Sequence, residues 1–278
     1  MEHSLTSTEG IQKQLFEVES EVVRVQRVPG PIIENVRSIR AAHIAGLLGG
    51  EIMPEDAAPD FQGDQKTKLL YFTLTMALNY QRNSYRLWES ATAAFLDADT
   101  RCIFDPFQSG EMSDDELRER LVRHGIALQP VRHLAIWRKI STCLSTRFRG
   151  DVAVLLEAGQ CDVALLQKMV REDLKKELPY ISGPKIFNYW LYVLEQYCGV
   201  TFHNRQLISV APDTHIMQAS VRLGLVSHVD KPDAAHQGAI AAAWVDVLQE
   251  SELTPIDVHT PLWLWSRAGF PDVPGLGS

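Results

Sequence analysis

The sequence predicts an all-α protein, and three observations carry that expectation. Apolar residues recur at three- and four-residue spacing in one segment after another. Helix start and stop signals (Ser, Asp or Pro ahead of a segment, Gly after it) punctuate those segments at helical lengths. Hardly any stretch alternates as a strand does, and no internal repeat is present.

Taken in order, residues 1 to 30 are polar and acidic and form a helix or an arm ahead of Pro29. Ile33 to Leu48 has helical spacing and is expected to stop at Gly49-Gly50. The Asp-, Pro- and Glu-rich stretch from Glu51 to Gly63 reads as a loop. Lys66 to Phe95 is a long amphipathic run interrupted by the polar patch Asn79 to Ser84, which predicts two helices. Ser113 with Glu116 is a capping-box pattern opening Asp114 to His124. Pro130 starts a helix to about Phe148, followed by shorter ones over Asp151 to Ala158 and Asp162 to Lys176. Pro184 suits the first turn of Lys185 to Cys198. Asp213 suits the cap of Thr214 to Leu225, and Pro232 with Asp233 precedes a helix over Ala234 to Gln249. The tail from Ser251 carries Trp263, Trp265 and Phe270, which are expected to pack back on the body.

With 278 residues, 45% of them hydrophobic, the chain is long enough for one large core or two small ones. The most apolar run, Ala239 to Val247, holds Trp244 and Asp246 and is too short for a membrane span. Glu2 and the lack of an apolar leader give no expectation of a secretory signal. Cys102, Cys143, Cys161 and Cys198 are widely spaced, which argues against a zinc knuckle or a disulfide framework and for a reducing compartment. His133 and His203 have no partner at metal-ligand spacing, so neither a metal nor a cofactor is expected. The formal charge of -8 disfavours a surface that attracts nucleic acid everywhere. Arginine and lysine nevertheless crowd the stretch from Arg118 to Arg149, which leaves room for a local basic face.

Two segments bear the residues of greatest chemical interest. In LPYISGPKIFNYWL, Lys185 follows a Gly-Pro turn at the start of an apolar helix. With the helix before it, this makes either a simple connection between helices or a helix–hairpin–helix whose outward-pointing amides suit an anion such as a phosphate. A helix N-terminus disfavours an ammonium, and the neutral amine is the form that attacks an electrophilic carbon. An exposed turn lysine is the plainer alternative. In ISVAPDTHIMQASVRLGL, Asp213 heads a helix, where it is a cap, a stabiliser of positive charge, or both. Gln81, in NYQRNS, is either a solvent residue or an amide able to enter an opened base stack. Phosphate-loop, HExxH, GxSxG and dinucleotide-type glycine motifs are all missing.

Together these segments resemble the helix–hairpin–helix DNA glycosylase superfamily, nearest its archaeal 8-oxoguanine branch. LPYISGPKIFNYWL is similar to the family hairpin and the helix after it, and SVAPDTHIMQASVRLGL to the segment with the family aspartate. LTMALNYQRNSYRLW resembles the segment whose glutamine fills the gap left by an extruded base, and IDVHTPLWLW the end of the archaeal branch. The resemblance covers roughly residues 65 to 268. Two departures stand out: Tyr180 occupies the place of the first glycine in the family's LPGVG turn, in a longer loop, and Pro212 precedes the aspartate where valine is common.

The resemblance implies a two-lobed helical fold. Residues 1–64 would pack on the second lobe, 65–184 would form a central lobe ending in the hairpin, and 185–278 would hold the hairpin's second helix, the aspartate segment and the C-terminal helices. It also implies a base-flipping DNA glycosylase with lyase activity in base excision repair, acting on an oxidised base such as 8-oxoguanine. Lys185 stands where the Schiff-base lysine stands, and Asp213 where the catalytic aspartate stands. Gln81, Tyr180, Ser182 and Gly183 fall at DNA-contacting positions. Tyr189, Trp190 and Trp263 are candidates for the base pocket, with core packing the competing role for each. The implied partner is double-stranded DNA carrying a damaged base. A monomer in the cytoplasm, associated with the nucleoid and with no membrane contact, completes the expectation. A non-catalytic DNA-structure binding protein and an N-glycosidase of nucleosides or RNA stay open as alternatives.

Overall fold

The computed structural model describes residues 29–48, 53–228, 233–249 and 251–277, and among these the protein is all-α. The helices are α1 (Pro29–Ile44), α2 (Gln65–Met76), α3 (Ser84–Leu96), α4 (Pro106–Glu111), α5 (Asp114–Arg123) and α6 (Pro130–Arg147). They continue with α7 (Val152–Ala158), α8 (Val163–Lys168), α9 (Pro184–Cys198), α10 (Thr214–Arg222), α11 (Ala234–Leu248) and α12 (Pro255–Arg267). The only extended pairing among the described residues is a single bridge between Asp162 and His203. The arm expected before Pro29, the Gly49-Gly50 stop and Pro232 lie outside the described residues.

Two compact units divide the chain. One is Glu51–Ala211; the other combines Met1–Gly50 with Pro212–Ser278. Neither unit has a boundary at 64 or at 184, because α9 packs on α2 within the first unit. In that unit α2 also contacts α7, and α4 lies along α6. Its centre is aromatic. The Tyr71 ring meets those of Phe61, Phe72, Phe95 and Phe104, and Phe104 meets Trp137 edge-on at 5.6 Å. Such pairs add about 0.5–1.5 kcal/mol each beyond the area they bury. In the second unit α12 lies against α10 and α1, and α11 also touches α1.

Local chemistry explains most helix ends. Asp64, Asn83, Ser113, Asp151, Asp162, Asp213 and Asp233 each accept a first-turn amide from the capping position. α10 ends at Gly224, whose φ of +69° lets the Leu225 amide return to the Ser220 carbonyl at 2.9 Å. α1 stops earlier than expected for the same reason. Gly46 takes φ +71° and Leu47 N–H reaches the Ala42 carbonyl at 2.8 Å, so the chain turns before Gly49.

The helix expected from Asp162 to Lys176 is shorter. After Lys168 it widens into a π turn over Met169–Asp173, closed by Leu174 N–H on the Met169 carbonyl at 2.8 Å. The wider turn keeps both Val170 and Leu174 in the core ahead of the hairpin. The stretch expected as a loop after Glu51 carries a 3-10 turn, Pro54–Ala57, and Phe61 from it packs into the aromatic centre. The tail packs as expected: Trp265 is buried, meets Phe270 edge-on at 4.9 Å and donates to the Pro271 carbonyl.

Candidate functional site

The hairpin between α8 and α9 belongs to the first unit. Leu174, Leu178 and Ile181 anchor it in the core. Ser182 N–H bonds the Leu178 carbonyl at 3.0 Å and Gly183 N–H the Tyr180 carbonyl at 2.9 Å, which closes the turn. Tyr180 has φ +65°. A side chain in that left-handed region costs about 1–2 kcal/mol relative to the right-handed one, so Tyr180 adopts a glycine-like backbone at the place where the resembling pattern has glycine. Gly183 has an ordinary φ of -71° and serves as the N-cap of α9 without a capping side chain. Pro184 has no N–H, and Phe187 N–H already bonds the Gly183 carbonyl, so the amides of Lys185 and Ile186 form the open end of α9.

Lys185 itself is exposed, as an ordinary turn lysine is, and among the described residues it makes no ion pair. Ser182 is buried, and its hydroxyl points to the Lys175 carbonyl at 3.4 Å. An anion at this turn therefore meets backbone amides before it meets the Ser182 side chain.

The Asn79–Asn83 loop lies beside the hairpin in the same unit. The Tyr80 and Tyr180 rings are 5.0 Å apart at 31°. Arg82 fixes the loop by donating to the carbonyls of Ile126 at 2.5 Å and Gly125 at 3.1 Å. The Ser84 hydroxyl closes on Asn79 Oδ1 at 2.8 Å. At the tip, Gln81 is exposed with φ +52°, a left-handed backbone held by the anchors on either side. The structure thus brings Gln81, Tyr180, Gly183 and the start of α9 into one region of the first unit.

Asp213 belongs to the second unit. Its Oδ1 accepts from the amides of His215 and Ile216, both at 3.0 Å, and its Oδ2 from Trp263 Nε1 at 2.9 Å. One carboxylate therefore caps α10 and ties it to α12. Trp263 is buried, meets His215 edge-on at 5.1 Å, and has the Arg267 guanidinium 5.2 Å from its ring. Asp213 is half-buried and keeps part of its surface open. Trp263, a base-pocket candidate, is the residue that orients this carboxylate.

The other two aromatic candidates face the core of the first unit. Trp190 is fully buried and donates to the Thr73 hydroxyl at 2.9 Å. Tyr189 donates to Glu55 Oε1 at 2.7 Å and stacks on Tyr192 at 5.8 Å. Glu55 is a residue that periodicity and motif reading gave no reason to select. It is completely buried, and loss of water pushes its carboxyl up to about 7, although the Tyr189 hydroxyl favours the charged form. The Trp88 indole faces the same carboxyl, yet neither its Nε1 nor Glu55 Oε2 reaches hydrogen-bond geometry. Its signal in the sequence was weak: an acid in an acidic loop, beside a proline.

Among the described residues no cluster of three His, Cys, Asp or Glu side chains could hold a metal ion, and no helix is long and apolar enough to cross a membrane. No family model matches the chain, and no curated protein matches it either.

Proposed function

We propose that the protein is a DNA glycosylase with lyase activity, of the two-lobed helix–hairpin–helix kind, acting on an oxidised base such as 8-oxoguanine in duplex DNA. The observation that carries this reading is the start of α9: an exposed amine, Lys185, on a helix whose first amides are open and whose entry turn is tightly closed. A backbone phosphate on those amides would bring a sugar within reach of the lysine.

The chemistry follows from the two side chains. The Lys185 amine attacks C1′ of the extruded nucleotide, and the C1′–N bond breaks with its electron pair leaving on the base. The leaving base takes up a proton, and the amine loses one as the ring opens to an imine. Abstraction of the C2′ proton then expels the 3′ phosphate by β-elimination. Asp213, held by its N–H donors, is the carboxylate to which the family resemblance assigns the offsetting of positive charge developing on the sugar. Gln81 fills the space left in the stack, its amide offering a donor and an acceptor to the orphaned base.

The assignment is tested by incubating duplexes that each carry one lesion (8-oxoguanine, an oxidised pyrimidine, uracil) with wild type and Asp213→Asn. Excision of at least one base by wild type, lost in Asp213→Asn while duplex binding persists, is the expected result. Release of a base from free nucleosides alone would replace this reading with that of a nucleoside hydrolase.

A further inference from the structure

The basic stretch around α6 has no part in the reaction just described. Pro130–Arg147 contains no Asp or Glu. Its exposed stripe includes Arg132, Ala135 and Lys139, on one face by helical spacing. Arg138 and Arg147 on the same helix are engaged by Asp114 and Glu177, whereas Arg132 and Lys139 make no ion pair among the described residues. Seven residues of helix place these two cations about 10 Å apart along the axis.

The stripe begins at an aromatic surface. The Arg132 guanidinium lies 5.1 Å from the centre of the Tyr180 ring, and Tyr180 meets Tyr80. Tyr80 is 43% exposed, and Leu128 and Val131 nearby are 62% and 77% exposed. The local field is positive: burial first, then the charges of Arg82 and Arg132, hold the buried His133 ring below the usual histidine range. Exposed apolar and aromatic side chains gathered beside cations that make no ion pair mark an interaction surface.

We propose that Tyr80, Tyr180 and the α6 stripe form a track for single-stranded nucleic acid, with one unpaired base stacked on Tyr80 and the adjoining phosphates on Arg132 and Lys139. Stacking on a flat ring tolerates any base, and cations spaced along a helix follow a backbone rather than read a sequence. The left-handed turn at Tyr180 is then explained: it holds the ring against Tyr80 and under Arg132, where an ordinary glycine turn would leave the platform incomplete. The track shares with the proposed function the hairpin residue Tyr180 and the premise of a nucleic-acid ligand. It requires no chemistry at Lys185.

The test uses the full chain and an undamaged oligothymidylate carrying one 2-aminopurine, with binding read by anisotropy and stacking by fluorescence quenching. Wild type is expected to bind and quench. Tyr80→Leu is expected to bind roughly tenfold more weakly and lose the quenching, while Tyr80→Phe behaves as wild type. The pair Arg132→Gln with Lys139→Gln is expected to lower the slope of log K against log salt by about 1.4, the value for two single-strand phosphate contacts. Failure to bind the single strand overturns the inference, as does quenching that survives in Tyr80→Leu or a salt slope unchanged in the double variant. These signals in a protein that excises no base would refute the catalytic reading alone. Excision without them would refute the track alone.

Discussion

Asp213 accepts two amides of its own helix and the indole of another, so its removal deletes a cap and a tie between α10 and α12 together. Asp213→Ala is therefore expected to lose about 2 kcal/mol of stability in denaturant melts. Asp213→Asn keeps an acceptor oxygen for the cap and should fall by less than half of that. Glu55 acts through pH instead. Its carboxyl rises from the ordinary 4.5 to about 7 on folding, so the folded protein binds more protons than the unfolded chain between those values. Stability from this group is therefore fully present below about pH 4.5 and is lost as pH climbs through 7, up to about 3 kcal/mol. Glu55→Gln removes the titration. Relative to wild type it is expected to gain stability at pH 8 and change little at pH 5. A difference between the two proteins that stays constant from pH 5 to 8 would show that Glu55 is not buried in its neutral form.

The α8–α9 hairpin is the element in which strain and contact oppose each other. The left-handed backbone of Tyr180 costs about 1–2 kcal/mol, while the Tyr80 ring and the Arg132 guanidinium return a similar sum. Tyr180→Gly should accordingly stay within about 1 kcal/mol of wild type, whereas Tyr180→Val, β-branched at the same φ, should lose about 2 kcal/mol or more in urea melts. Helices of this kind were legible in the sequence because their caps are local: Ser113, Asp151, Asp162 and Asp213 head their helices as their types predict. The π turn after Lys168 was not, because it answers to the core's claim on Val170 and Leu174 rather than to any propensity. Lys185 and Gln81 were visible as punctuated motifs. The burial of Trp190, the tie from Trp263 to Asp213 and the neutral-leaning Glu55 depend on partners more than a hundred, or fifty, positions away. Sequence spacing carries no trace of those.

At the level of the whole chain, a formal charge of -8 means that any nucleic acid must be drawn to local positive ground rather than to the molecule at large. α6, free of acids, is such ground, and the open end of α9 is a second. Duplex affinity should therefore drop steeply between 50 and 200 mM salt, and Lys185→Gln should weaken it only modestly because the α9 amides remain. On the proposed reading the Lys185 amine serves the chemistry far more than the binding. Borohydride reduction during incubation with an 8-oxoguanine duplex measures that directly. Wild type should yield a covalent protein–DNA adduct, and Lys185→Gln should yield none while still binding the duplex. An adduct that persists in Lys185→Gln would contradict the assignment of the nucleophile, and base release by wild type with no adduct would show that water, not this lysine, attacks the sugar.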